Sequence, residues 1–130
     1  MMKLFKNHQQ SLACGFLILA VCILIGAFGA HGLEKQLSAK MMKTFQTGVT
    51  YHRLAGVLWL ILALVQQKFE DINFAKCFLL LGLGILFFSF NCYAYAITEI
   101  KILARLMPIG GIFFTYACFL SAWKLFRYQK

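Results

Sequence analysis

Two histidines and the tyrosines near them carry most of the chemistry open to this chain. His31 closes the run Gly26-Ala-Phe-Gly-Ala-His, His52 stands between Tyr51 and Arg53, and Ser89, Asn91 and Tyr93 lie close together further on. An imidazole titrates near neutrality and can move a proton or ligate a metal or haem iron. Hydroxyl, phenol and carboxamide groups beside it can hold a ligand or bond a neighbouring helix. No nucleophile with its base, carboxylate pair or metal motif stands out, so no catalytic residue, metal ligand or enzymatic activity is assigned. Cys14, Cys22, Cys77, Cys92 and Cys118 are odd in number, form no CxxC pair and all fall in apolar runs. They read as small packing residues, and no cofactor is expected.

The elements that position these groups must live in a membrane. Of the 130 residues, 62% are hydrophobic and 13% charged, with fourteen Phe, and the mean hydropathy is +0.76. A soluble domain of this length has no interior large enough for so much apolar surface. A hydrocarbon layer about 30 Å thick takes roughly 20 apolar residues of helix. Residues 11–30, 77–97 and 106–123 meet this outright or nearly. Residues 54–65 fall short unless their helix starts near Thr47, which draws Tyr51, His52 and Arg53 into the membrane boundary. The fold class is therefore all-α. It is an integral-membrane bundle of four transmembrane helices, over residues 11–31, 47–66, 76–97 and 106–126 of a single domain. Three spans with one half-buried helix is the alternative. After the first helix, Leu33, Leu37, Met41 and Phe45 recur every four residues. That pattern predicts a short amphipathic helix at the interface, or the first turns of a long second helix. Residues 66–76 and 98–105 form the remaining loops.

The net charge of +9 belongs to the membrane flanks. Lys3, Lys6, Lys68, Lys76, Lys124, Arg127 and Lys130 fall on the side of both termini, and Lys35, Lys40, Lys43, Arg53, Lys101 and Arg105 on the other. Seven against six nearly balances; Lys3 and Lys6 ahead of the first helix favour cytoplasmic termini. Basic residues are not interleaved with stacking aromatics outside the spans, so nucleic acid is not an expected partner. The N-terminus could also pass for a signal peptide, with Ala27-Phe28-Gly29 as its cleavage site. Its span-length apolar run reads instead as a retained helix.

Antiparallel packing collects the unusual residues at one end. His31 closes the first helix, and Thr47, Tyr51, His52 and Arg53 open the second. Asn91, Tyr93 and Tyr95 end the third, and Pro108-Ile-Gly-Gly opens the fourth. The candidate polar cluster is thus His31, Thr47, Tyr51, His52, Ser89, Asn91 and Tyr93. Helical spacing puts His52 on a small face with Gly48, Gly56, Trp59 and Ala63. Arg53 joins Val49, Val57 and Leu60 on a face suited to lipid, its guanidinium snorkelling to headgroups. Ser89, Cys92, Tyr93 and Ala96 share a face, and Asn91 points away from it. Gly26, Gly29 and Gly32 read as a packing ridge, with Gly48, Gly110 and Gly111 as further backbone contacts. Pro108 reads as the first turn of the fourth helix, or as a kink in one starting near Ile102. Each histidine can equally bond a carbonyl or headgroup. Trp59, Tyr93, Tyr95 and Trp123 can all be interfacial anchors.

Four segments also carry a family resemblance: Gly-Ala-Phe-Gly-Ala-His-Gly-Leu at 26–33, Phe-Gln-Thr-Gly-Val-x-Tyr at 45–51, Phe-Ser-x-x-x-Tyr at 88–93 and Pro-Ile-Gly-Gly at 108–111. Together, in order and over nearly the whole chain, they resemble the small uncharacterised membrane-protein family of bacterial YgdD and YwdK, with distant eukaryotic relatives. The resemblance implies a multi-pass bundle of four helices and no established molecular function. A plasma-membrane location, the inner membrane of a bacterium, is expected. This chain departs from the family pattern at His52, where Gln is usual, and at Ala55, where His is usual. Phe90-Asn91 replaces a Gly-Ser pair, and Met107 a Thr before the proline. On this comparison an imidazole has moved one turn along the same face, from 55 to 52.

Three functions compete. The leading one is a non-enzymatic accessory or interaction bundle that binds lipid or another membrane protein, supported by short loops and close-packing glycines. The second is a small transporter or channel subunit with a polar pocket in one leaflet, which would need to oligomerise to enclose a path. The third is a redox protein holding haem or quinone between His31 and His52. Expected partners are membrane lipids, another membrane protein or a second copy of the chain.

Overall fold

The computed structural model describes residues 7–128 and folds the apolar runs into four helices joined by short turns. Lys3, Lys6 and Lys130, counted above among the basic flanks, lie outside the described residues. The helices are His8–Leu33, Ala39–Lys68, Ala75–Thr98 and Lys101–Phe126, each long and apolar enough to cross a bilayer. No strand occurs among the described residues.

The helix ends follow from local chemistry. The Asn7 side chain accepts from the Gln9 amide, and the Ser38 hydroxyl accepts from Met41 N at 3.3 Å, so each satisfies a donor that the helix start leaves open. Ser38 thereby starts the second helix at Ala39 rather than at Thr47. The repeat Leu33, Leu37, Met41 and Phe45 is absorbed into the turn and the first turns of this helix, with Leu33, Met41 and Phe45 buried. At 30 residues the second helix is about 45 Å long. Its middle, not its start, carries His52.

The fourth helix also starts earlier than Pro108. Glu99 takes a left-handed conformation (φ 56°) and ends the third helix, and its amide donates to the Tyr95 carbonyl at 2.8 Å. Ile100 is extended, and the chain is helical again from Lys101. The anticipated loop 98–105 thus shrinks to two residues, and Pro108 lies inside the helix. Two helices carry π-helical segments, Gly29–Leu33 closing the first and Ile85–Phe90 in the middle of the third. A π turn holds an extra residue and widens the helix locally.

The first helix packs along the second, the second against the third, and the fourth against the third. The larger apolar cluster joins Trp59, Phe74, Phe78, Leu81 and Phe114 among the last three helices. A smaller one at the opposite end joins Cys22, Leu33, Met41, Phe45, Val49 and Tyr93. His52 sits where the two meet, between Val49 of one and Ala55 of the other.

Candidate functional site

The second helix presents Gly48, His52, Ala55, Gly56 and Trp59 as one buried face. Opposite it, the third helix turns Ser89, Cys92, Tyr93 and Ala96 inward. His52 Nδ1 lies 3.0 Å from the Tyr93 hydroxyl, and the two residues are only 2% and 7% exposed. The Phe90 ring stands 5.8 Å away, and the Ile18 backbone of the first helix faces the imidazole. One side chain therefore links three helices. Gly48 permits this approach, since a Cβ there would lie 2.7 Å from Cys92 Cβ and 3.0 Å from the Ser89 carbonyl oxygen. Ser89 is fully buried beside it, and its hydroxyl has no hydrogen-bond partner.

The depth of this contact differs from the expected interfacial rim. The Cys22 thiol donates to the Val49 carbonyl at 3.4 Å, and Ile18 and Leu19 pack against Gly56. His52 is therefore level with residues 18–22, the middle of the first apolar run.

The remaining candidates do not join it. His31 is exposed on the π turn, whose Gly29 faces Phe45. That places the two imidazoles roughly 10 Å or more apart along the axis, at 1.5 Å per residue. They do not face one another. Thr47 donates to the Lys43 carbonyl of its own helix at 2.9 Å. Asn91 likewise donates to the Phe87 carbonyl at 2.7 Å, inside the π segment, and so bonds its own helix rather than a neighbour. Tyr51 turns toward the fourth helix and packs on Phe88 and Phe114, with ring centroids 4.7 and 6.1 Å away. Trp59 is buried rather than interfacial, its indole N–H donating to the Ser11 carbonyl at 3.0 Å. Trp123 stays exposed with Arg127 4.8 Å above its ring, the disposition of an anchor.

The glycines divide by what they touch. A side chain at Gly29 would enter the Phe45 ring, and one at Gly26 would meet Val49 at 3.3 Å. Gly32 meets only Phe28 of its own helix, so it drops out of the ridge. The face that the first helix buries instead runs through Ser11, Gly15, Cys22, Gly29 and Leu33. Gly110 is where the fourth helix touches the π segment, because a Cβ there would lie 2.6 Å from Phe88 Cβ and 2.7 Å from the Phe87 carbonyl carbon. Gly111 has nothing within 4 Å. With Pro108, Tyr51, Thr115 and Phe119 it lines a mainly apolar groove of about 500 Å³.

One surface feature beside the cluster is not evident from the sequence. Arg53 is exposed, as its place on a lipid-suited face predicts, and it also borders a groove of about 330 Å³ between the first two helices, with Gly26, Gly29, Gln46, Val49 and Thr50. The one-turn spacing of Gln46, Val49 or Thr50, and Arg53 was the available signal. The early start of the second helix, needed to interpret it, was not evident.

A family model described as a protein of unknown function (DUF423) matches residues 25–111, from the glycine run of the first helix to the close contact of the fourth. UPF0382 membrane protein SH2409 of Staphylococcus haemolyticus is 40% identical over 104 residues, covering 76% of this chain and 84% of that protein. UPF0382 membrane protein YwdK of Bacillus subtilis is 35% identical over 91 residues, 69% of this chain and 74% of the relative. UPF0382 inner membrane protein YgdD of Escherichia coli K12 is 34% identical over 105 residues, 81% and 76% respectively. No solved structure matches. With four spanning helices and this match across all the segments described above, the chain belongs to the DUF423, or UPF0382, family of membrane proteins.

Proposed function

We propose that the protein is a non-enzymatic accessory bundle that works through its membrane-facing sides, holding lipid or another membrane protein there. The observation that carries this reading is the closure of its reactive groups. His52 and Tyr93 meet each other in a buried contact, and a transport path would need such groups to line a passage. His52, Ser89 and Tyr93 line neither the grooves holding Arg53 and Pro108 nor a third, about 220 Å³, between Leu58, Leu81 and Cys118. What the bundle offers outward is large apolar side chains such as Phe16, Leu24, Ile112 and Phe119.

The test is affinity purification from membranes in mild detergent, with mass spectrometry of bound proteins and lipids. A reproducible, near-stoichiometric partner protein or lipid is expected. A protein that is always solitary and lipid-free would sink the accessory reading. Solute or proton flux in liposomes that falls on H52A, in a folded protein, would favour the transporter instead. Within the plasma membrane we place both termini in the cytoplasm. Arg53 lies in the middle of its helix rather than on a flank, so the basic tally becomes seven against five (six less Arg53) in favour of that side.

A further inference from the structure

The groove between the first and second helices is bordered by an exposed arginine with no opposite charge beside it. Arg53 follows His52 directly and lies near the Cys22 thiol, level with the middle of the first apolar run. From there the groove runs toward the Leu33–Ala39 end, between Gly26, Gly29 and Ala30 on one wall and Gln46, Val49 and Thr50 on the other. No acidic side chain lines it. The Thr50 hydroxyl is turned to the Gln46 carbonyl at 2.9 Å, which leaves the Gln46 carboxamide and the Arg53 guanidinium as side-chain donors. Any side chain at Gly26 or Gly29 would crowd Val49 or Phe45 from the first-helix side.

A cation at this depth is costly without a partner. Its forked N–H donors suit phosphate oxygens, and Gln46 supplies a neutral donor one to two turns away along the same wall. One turn below Arg53, Val57 is exposed and offers apolar surface to a chain lying along the helix. We propose that this groove binds the phosphate of an anionic phospholipid through Arg53 and Gln46, with an acyl chain running past Val57. A zwitterionic headgroup brings its own cation beside the guanidinium and fits less well. The inference rests on the lipid half of the proposed function and gives it a site and a headgroup class.

The experiment offers the full-length protein, in mild detergent, equal amounts of phosphatidylglycerol and phosphatidylcholine and counts bound lipids by native mass spectrometry. The wild type should retain phosphatidylglycerol preferentially. R53Q should lower that preference roughly tenfold, the scale of one charge-assisted hydrogen bond. R53K should keep part of it, and R105Q, which removes a charge outside the groove, should keep all of it. Folded R53Q with undiminished preference, or R105Q with an equal loss, overturns the site. Displacement of the lipid by excess inorganic phosphate would assign the groove to a free anion and overturn the lipid. A wild type that takes neither lipid, but loses a co-purifying protein on R53Q, would show that Arg53 answers a partner's carboxylate. That result overturns the lipid site and leaves the accessory reading standing. Circular dichroism and melting verify the fold of each variant. Should R53Q not fold, Q46L decides through the amount bound: weaker retention of phosphatidylglycerol by folded Q46L supports the site, and undiminished retention opposes it.

Discussion

His52 directs its hydrogen-bonding capacity into the protein. Removing only the phenolic oxygen, with Y93F, leaves the imidazole Nδ1 unmatched at a 2% exposed position. A buried polar group without its partner costs about 1–3 kcal/mol. Y93F should therefore lower the melting temperature in detergent, and an unchanged melting curve would refute the contact's structural weight. Ser89 gives the opposite expectation because its buried hydroxyl is already without a partner. S89A removes that burden and adds no volume, so it should be neutral or stabilising by up to ~1 kcal/mol. A clear loss on S89A would mean that the hydroxyl is engaged after all. Gln or His at 52 or 55, as the family resemblance suggested, would fall on one buried face, since Ala55 is 1% exposed.

Helix by helix, adjacent glycines can have opposite roles. Gly110 seats the fourth helix on the backbone of the π segment, where a methyl group would have to displace main chain rather than a flexible side chain. G110A should cost about 1–3 kcal/mol, on the order of overpacking strain, and should depress the yield of folded protein. G111A should be tolerated or stabilising by about 1 kcal/mol, because Ala is the better helix former and nothing stands within 4 Å. Equal melting temperatures for the two variants would contradict the seating. The apolar runs, the antiparallel order and the burial of the His52 face were legible because period and length report them directly. Pro108 was legible only as two alternatives: a proline followed by two glycines looks like a helix start, and the structure adopts the other reading, a helix that begins near Ile102 and runs through it. The earlier start depends on Glu99 adopting a left-handed turn that its residue type does not advertise. Arg53 is exposed as its wheel predicts, but the groove beside it was not legible, for a related reason. Val49, Val57 and Leu60 resemble a lipid face, yet Val49 is buried and Arg53 borders the glycines of another helix. The face a helix buries depends on its neighbour as well as on its own wheel.

At the level of the molecule, the proposed orientation can be read by single cysteines. N73C, in the turn after the second helix, should react with a membrane-impermeant maleimide only after the cells are opened. K35C, in the turn after the first, should react in intact cells once the outer barrier is permeabilised. A cysteine-free background is needed because Cys118 is exposed on the fourth helix. The reverse labelling pattern would invert the proposed topology and put the Arg53 groove on the cytoplasmic side.

The two-residue turn at Glu99–Ile100 has a bearing on how the chain assembles. It ties the third and fourth helices into one tight hairpin, just as residues 34–38 tie the first two. The first helix is docked chiefly on its own hairpin partner, and the fourth on its own. Insertion can then proceed as two preassembled halves, completed when Gly48 meets Ser89 and Cys92, His52 meets Tyr93, and Trp59 meets Phe78 at 4.9 Å between rings. Fragments 1–70 and 71–130, co-expressed, should therefore find each other in the membrane and co-purify, less well when the second carries Y93F. Halves that stay apart would show that the covalent link, rather than the seam between the second and third helices, holds the bundle closed.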